Sequence, residues 1–113
     1  TYDHSFVNHL LMTGQITEEE AFNHPQRNII TKVMGTDRRV SPDIFTKRIS
    51  YYNYVLLNSD GLSDYVRNHE IEMLMNQSTS LNELGEALIQ AALDHQSKDN
   101  VSVLLAEIEG NNV

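Results

Sequence analysis

Two aspartates in this sequence, Asp60 and Asp99, stand at positions that suit the binding of a hard cation. Asp60 follows a short, mostly apolar run at residues 54–58, and Asp99 precedes a second apolar run at residues 101–108. If the two runs pair as antiparallel strands, the end of the first and the start of the second lie at the same edge of the sheet. Because divalent hard cations prefer carboxylate oxygens, the spacing predicts a metal site at that edge.

Three neighbouring residues are expected to support this pair. Gly61 removes side-chain bulk beside Asp60, and we expect Asn100 to hydrogen-bond local backbone and fix the turn that presents Asp99. Asp64 is expected to hydrogen-bond backbone and steady the loop around Asp60. Asp-Gly and Asp-Asn are also common turn dipeptides, so ordinary turn chemistry remains the competing explanation on the residues alone.

Composition limits the classes of protein that this chain can belong to. Its 113 residues are enough for one compact domain with a core, and the absence of cysteine excludes disulfides and thiolate metal sites. The net charge of -8 argues against nucleic-acid binding, which needs clustered Lys and Arg. No apolar run approaches the roughly 20 residues of a membrane-spanning helix, and no signal peptide is seen. A cytoplasmic protein without membrane partners is expected.

The first half of the chain predicts two helices followed by two strands. Asp3 is placed to cap the first helix, which Gly14 ends, and Thr17 opens the second helix in a capping box with Glu20. Residues 29–34 and 43–50 are rich in β-forming types. The first run is predicted as a strand or extended segment and the second as a strand, with a turn at 51–53.

The second half predicts a strand, two helices and a closing strand. Residues 54–58 suit a central strand buried on both faces, and residues 101–108 suit the closing one. Asn68 is expected to cap the first of the two helices, and Ser80 with Glu83 to form a capping box for the second. This order of elements predicts an α+β fold with mostly antiparallel pairing, whose open sheet edges would be better covered by strands from another segment.

Several blocks of the sequence resemble the bacterial PPM, or type-2C, metal-dependent protein phosphatases, in the order in which that family carries them. The blocks are Asp3-His4-Ser5, then His24-Pro25-Gln26-Arg27-Asn28, then Val55-Leu56-Leu57-Asn58-Ser59-Asp60-Gly61-Leu62-Ser63-Asp64, and finally Lys98-Asp99-Asn100-Val101-Ser102-Val103. Each block is moderately specific, and the set at these spacings is strongly specific. The resemblance covers nearly the whole chain.

The resemblance implies that residues 1–113 are the C-terminal half of one PPM-type α/β sandwich, with mostly antiparallel sheets flanked by helix pairs. It implies that Asp60 and Asp99 ligate Mn²⁺ or Mg²⁺ in a two-metal centre, with a third, weaker ion near Asp60 as a further hypothesis. Phosphoserine and phosphothreonine in proteins would be hydrolysed by a metal-activated water, so no side chain here is expected to act as the catalytic group. Arg27 is expected to contact substrate from a flap, the alternative being a salt bridge to Glu19 or Glu20.

The same comparison with the family leaves alternatives open. The other metal-binding carboxylates of the family belong to an N-terminal half that this sequence does not contain, and Gln96 and Ser97 stand where the family usually has glycines. A noncatalytic interaction module, a pseudophosphatase or an inactive isolated fragment therefore competes with an active phosphatase. Expected partners are phosphorylated proteins, including a serine/threonine kinase, and the isolated piece is expected to associate with itself through its open sheet.

Overall fold

The computed structural model describes residues 2–48 and 54–108, and the chain divides into two compact units, Thr1–Thr46 and Lys47–Val113. The first unit contains helices α1 (Phe6–Met12) and α2 (Glu18–Phe22). The second contains β1 (Tyr54–Asn58), α3 (Asp60–Ser63), α4 (Asn68–Gln77), α5 (Leu81–Asp94) and β2 (Val103–Glu107). Within the described ranges, none of these helices has the length and apolarity to cross a membrane. Helices combined with an antiparallel strand pair confirm the predicted α+β class.

Helix α1 is capped by Ser5 and not by Asp3, which corrects the prediction. The Ser5 hydroxyl accepts a hydrogen bond from the Asn8 N–H at 3.2 Å and donates one to Asp3 Oδ2 at 3.0 Å. Asp3 therefore orients the capping hydroxyl and does not cap the helix itself. The helix ends at Met12, and Gly14 adopts the left-handed φ of 76° that was expected of it.

Helix α2 has the capping box that the sequence predicted. The Glu20 N–H donates to Thr17 Oγ1 at 3.2 Å, and the Thr17 N–H donates to Glu20 Oε1 at 3.3 Å. Two otherwise unpaired backbone donors are thereby satisfied at the start of a five-residue helix. The helix ends at Phe22, ahead of Pro25.

The strand predicted at residues 43–50 and the strand alternative at 29–34 are wrong for the residues that the structure describes. The first segment makes only isolated bridges, one of which joins Ile30 to Ser5, and the described part of the second contains no strand. β-branched residues suit a pleated surface but form a strand only where a partner of similar length is available. The turn predicted at 51–53 lies outside the described residues.

A small polar cluster links Asp43 to His4, near the start of the first unit, and to Lys32. His4 Nε2 lies 2.7 Å from Asp43 Oδ2, and Lys32 Nζ lies 3.6 Å from Asp43 Oδ1. Lys32 also donates to the carbonyl of Ser41 at 2.9 Å. The hydrogen bond from His4 and the nearby Lys32 ammonium lower the pKa of the Asp43 carboxyl, because both favour its charged form.

In the second unit, β1 and β2 pair antiparallel, as predicted. Leu56 lies opposite Leu105, and both pack against the helices, whereas Val55 and Leu57 on the other face are 40% and 61% exposed. The prediction that β1 is buried on both faces is therefore wrong for this chain. The physical reason is that helix α5 packs on one face of a two-stranded sheet. Successive side chains of a strand point to opposite faces, so they alternate between contact with the helix and exposure to solvent.

The core of the second unit lies between the helices and the inner face of the sheet. Its buried residues are Leu62, Val66, Ile71, Leu84, Leu88 and Ala92. Helix α4 begins at Asn68 with Arg67 at the N-cap and no side-chain capping bond, so Asn68 is not the cap that was predicted. Ser80 does cap α5 by accepting from the Glu83 N–H at 3.2 Å. The Glu83 carboxylate, however, bonds Thr79, so the second capping box is only half formed.

Candidate metal centre

Asp60 and Asp99 lie beyond the same end of the strand pair. The ladder ends with Asn58 opposite Val103, and Asp60 comes two residues after Asn58 whereas Asp99 comes four residues before Val103. Antiparallel pairing is the reason, because it sets the end of β1 beside the start of β2. Two loops that are far apart in sequence, each carrying one carboxylate, are thus neighbours in the fold.

A close backbone contact between these loops is made by Gly61. A Cβ built on Gly61 would stand 2.1 Å from the carbonyl oxygen of Asn100 and 2.9 Å from its carbonyl carbon. No side chain fits in that space, and Gly61 is buried. Because Gly61 follows Asp60 and Asn100 follows Asp99, this contact joins the backbone segments that carry both carboxylates.

The side chain of Ser59 holds the two loops together from one side. Its hydroxyl accepts a hydrogen bond from the Ser102 N–H at 3.0 Å and donates one to the carbonyl of Asn100 at 3.2 Å. The Ser59 N–H also donates to the carbonyl of Ser102 at 2.9 Å. Ser59 precedes α3 but makes no side-chain capping bond to it, since its hydroxyl is engaged across the sheet end.

Ser97 holds the loops from the other side, where α5 ends. Its hydroxyl donates to the carbonyl of Gly61 at 2.8 Å. The preceding residue, Gln96, has a left-handed φ of 62°, and the N–H groups of Gln96 and Ser97 donate to Leu93 and Ala92 at 2.9 Å. This is a Schellman helix end, in which glycine is the usual left-handed residue. Gln96 thus adopts the positive φ that a glycine would usually supply at this position.

The two carboxylates themselves are exposed. Asp99 Oδ1 accepts a hydrogen bond from the Asn100 N–H at 2.7 Å, and this backbone donor, not the Asn100 side chain, is what fixes the turn. Asp60 opens α3, and its carbonyl accepts from the Asp64 N–H at 2.9 Å. For the described part of the chain, no hydrogen bond to the Asp60 carboxylate is found.

Comparisons with curated sequences and with solved structures both find bacterial protein phosphatases. No family model matches the chain. It is 40% identical over 108 residues to protein phosphatase PhpP of Streptococcus pneumoniae, covering 96% of this chain and 44% of that protein. It is 38% identical over 107 residues to serine/threonine phosphatase Stp of Listeria welshimeri, covering 95% and 42%. A crystal structure of serine/threonine phosphatase Stp1 from Staphylococcus aureus superposes with a TM-score of 0.93 at 64% identity, covering 97% of this chain and 43% of that one.

Over nearly all of its residues, the chain is similar to one part of bacterial PPM phosphatases. This similarity, in sequence and in backbone, supports the resemblance found in the sequence. The chain spans less than half the length of the curated relatives that it matches.

The donor set at Asp60 and Asp99 fits part of the divalent-cation centre of a PPM phosphatase. Two exposed carboxylates on loops held together by backbone contacts offer the oxygen ligands that such ions prefer. Among residues 2–48 and 54–108, no group of three or more acidic or histidine side chains able to hold a metal is found. The two aspartates are donors of the kind that such a metal takes, and their role as its ligands stays a prediction.

Arg27 belongs to the other compact unit, not to the one that carries the aspartates. Its Nη1 donates to the carbonyl of Phe22 at 2.9 Å, at the end of α2. This hydrogen bond gives Arg27 a structural role within its own unit. The substrate contact that the resemblance implies for Arg27 stays a prediction.

Sequence reasoning missed the hydroxyls of Ser59 and Ser97. Each makes its contact with a residue 36 or more positions away in the chain, so no local pattern revealed the partner. Ser97 did carry one signal, since it stands where the family usually has glycine.

Proposed function

We propose that the protein containing this chain hydrolyses phosphoserine and phosphothreonine in proteins with the help of divalent metal ions. The observation that carries the proposal is that Asp60 and Asp99 lie on two loops in direct backbone contact. The relatives of the chain are named serine/threonine phosphatases. Because the chain spans less than half of those relatives, the activity is proposed for the longer protein. Residues 1–113 would form the C-terminal half of its phosphatase domain.

In this proposal Asp60 and Asp99 would hold Mn²⁺ or Mg²⁺, two ions or three in the complete centre. Such ions lower the pKa of water and neutralise charge on a phosphoryl group in hydrolysis. Two carboxylates supply two negative charges against the four positive charges of two divalent ions, so further anionic ligands must come from a segment outside this chain. The hydroxyls of Ser59 and Ser97 and the backbone around Gly61 would hold the two ligands in place.

The proposed substrates are phosphorylated proteins, a serine/threonine kinase among them, and the proposed location is the cytoplasm. Arg27 would contact the substrate chain near the phosphorylated residue. A carboxylate pair, a hard metal ion and an anionic phosphate ester form a consistent set in electrostatic terms, because the cation offsets the repulsion between carboxylate and phosphate.

The competing proposal is a noncatalytic interaction module or a pseudophosphatase, or a piece that is inactive when isolated. Metal-dependent hydrolysis separates these functions. The longer protein and the isolated 113-residue chain are each assayed with a phosphothreonine peptide, with Mn²⁺ and again with excess EDTA. We expect turnover by the longer protein that EDTA abolishes, and no turnover by the isolated chain. A longer protein that binds the peptide without hydrolysing it would support the noncatalytic alternative.

The isolated chain tests the half-domain proposal in the same experiment. The exposed outer face of β1 and β2, which includes Val55, Leu57 and Leu104, is expected to drive self-association at high concentration. Sedimentation at increasing concentration measures this. Metal-dependent turnover by a monomer of the 113-residue chain would contradict the half-domain proposal.

A further inference from the structure

We propose that the hydroxyls of Ser59 and Ser97 are positioning groups that set the separation of the Asp60 and Asp99 carboxylates, and through it the affinity for the divalent cation. This inference rests on the proposed function, since it takes both aspartates as metal ligands. It concerns side chains that would not touch the metal but would decide where the ligands stand before the metal arrives.

The contacts form a crossed pattern. Ser59 comes just before Asp60, and its hydroxyl donates to the carbonyl of Asn100, the residue just after Asp99. Ser97 comes two residues before Asp99, and its hydroxyl donates to the carbonyl of Gly61, the residue just after Asp60. Each ligand loop therefore supplies one hydroxyl that holds the other loop. A shift of either loop relative to the other would strain one of these two hydrogen bonds.

Packing and further hydrogen bonds restrict the movement of the two loops. The contact between Gly61 and Asn100 leaves no room for the loops to approach further, so the hydroxyls act against separation only. Ser59 has a second hydrogen bond, from the Ser102 N–H, which anchors its hydroxyl to the start of β2. Ser97 is anchored by the Schellman end of α5. Both hydroxyls thus connect a ligand loop to a regular element of the second unit.

Metal affinity is the property that such positioning should change. A site binds its ion tightly when the ligands are already in place, and residues that orient the ligands typically contribute about 10- to 100-fold in metal affinity. Ser59 and Ser97 act through one intervening backbone group, so we expect a smaller effect, about three- to tenfold for each. Turnover at saturating metal should change little, because the bound ion restores the ligand geometry.

Ser102 offers a matched control at the same end of the sheet. Only its backbone takes part in the network, and no hydrogen bond of its hydroxyl is found in the described part of the chain. Ser102→Ala removes the same atom as Ser59→Ala or Ser97→Ala. A difference between them therefore reports on the hydrogen bond, not on the loss of a serine.

The test uses the longer protein and titrates Mn²⁺ by calorimetry, with phosphopeptide turnover measured over the same Mn²⁺ range. We expect Ser59→Ala and Ser97→Ala to raise the Mn²⁺ dissociation constant about three- to tenfold, with kcat at saturating Mn²⁺ within about twofold of the parent. Ser97→Thr should restore parental binding, and Ser102→Ala should leave it unchanged. If Ser97→Ala does not fold, Ser97→Thr against Ser97→Val replaces it.

Unchanged dissociation constants in both alanine variants would overturn the inference, and so would an equal change in Ser102→Ala. Lower kcat at saturating Mn²⁺ without weaker binding would overturn it as well. These failures differ from failure of the proposed function. A parent protein that hydrolyses phosphopeptide while the variants bind Mn²⁺ normally removes only the inference, whereas a parent that neither binds Mn²⁺ nor hydrolyses the peptide removes both.

Discussion

The Cα of Gly61 faces the backbone carbonyl of Asn100 so closely that a Cβ on Gly61 would stand 2.1 Å from the carbonyl oxygen. Gly61 is not among the glycines with positive φ, which in the described residues are Gly14 and Gly35. Space, and not backbone conformation, is therefore the reason that glycine follows Asp60. The contact couples the geometry of the two aspartate loops.

Gly61→Ala should force the loops apart and lower both stability and Mn²⁺ affinity. Because the colliding atoms belong to backbone, we expect a loss of about 1–3 kcal/mol in the free energy of unfolding, measured by urea denaturation. Gly85→Ala is the matched control, since its Cβ would meet only Leu105 Cδ1 at an ordinary 3.9 Å. Alanine in the middle of α5 should be neutral or stabilising by up to about 1 kcal/mol. Equal losses in both variants would contradict this account of Gly61.

Gln96→Gly should stabilise the protein. Gln96 has a φ of 62°, which costs a non-glycine residue about 1–2 kcal/mol, whereas glycine loses more backbone entropy on folding. The expected net gain is about 0.5–1 kcal/mol in urea denaturation. Gln90→Gly, inside α5, should instead cost about 1 kcal/mol. A destabilised Gln96→Gly variant would mean that the side chain of Gln96 contributes more than its backbone strain costs.

Asp43→Asn should remove a pH-dependent contribution to the stability of the first unit. The hydrogen bond from His4, followed by Lys32, lowers the pKa of Asp43 below 3.8 in the folded chain. A lowered folded pKa stabilises the fold at pH above the unfolded value, and this contribution is lost as pH falls through the folded one. The difference in Tm between parent and variant should therefore be largest near pH 6 and shrink below about pH 4.

Asp37→Asn is the control for this measurement, because no ion pair of Asp37 is found in the described part of the chain. Its Tm should follow the parent at every pH. A Tm difference for Asp43→Asn that stays constant down to pH 2 would assign the effect to lost packing and not to titration of the carboxyl.

Arg27→Ala should lower kcat/KM for a phosphopeptide more than for a small aryl phosphate. The proposed contact is with the substrate chain, which the small substrate lacks. Arg27 also donates to the Phe22 carbonyl, so a melt of each variant must accompany the kinetics. Equal losses on both substrates would assign Arg27 to holding the end of α2.

Patterns local in sequence predicted much of the fold. The capping box at Thr17, the left-handed Gly14 and the antiparallel pairing of residues 54–58 with 101–108 follow from capping chemistry and apolar runs, and the structure has them. The strand predicted at 43–50 and the strand alternative at 29–34 failed because residue type cannot supply a pairing partner. Ser5 and not Asp3 is the cap because the helix begins at Phe6, which leaves Asp3 two residues ahead of the capping position.

In the candidate centre, too, local sequence patterns predicted some features and missed others. The neighbouring positions of the Asp60 and Asp99 loops and the need for glycine at 61 could be inferred from turn and strand signals, whereas the metal role of the aspartates stays a prediction that the resemblance implies. The hydroxyl contacts of Ser59 and Ser97 could not, because each depends on a carbonyl that only the tertiary fold brings near. The left-handed backbone at Gln96 was likewise set by the helix end and not by the residue type.

Mn²⁺ binding and phosphopeptide turnover, measured on Asp60→Asn and Asp99→Asn variants of the longer protein with Asp37→Asn as control, decide whether the two aspartates hold the metal. Each of the first two changes removes the charge of a proposed ligand while keeping the shape of the side chain. We expect both variants to lose turnover at saturating Mn²⁺ and to bind Mn²⁺ more weakly, while their circular-dichroism melts and the control variant stay at parental values. Turnover near the parental rate in both variants would contradict the claim that these aspartates hold the metal.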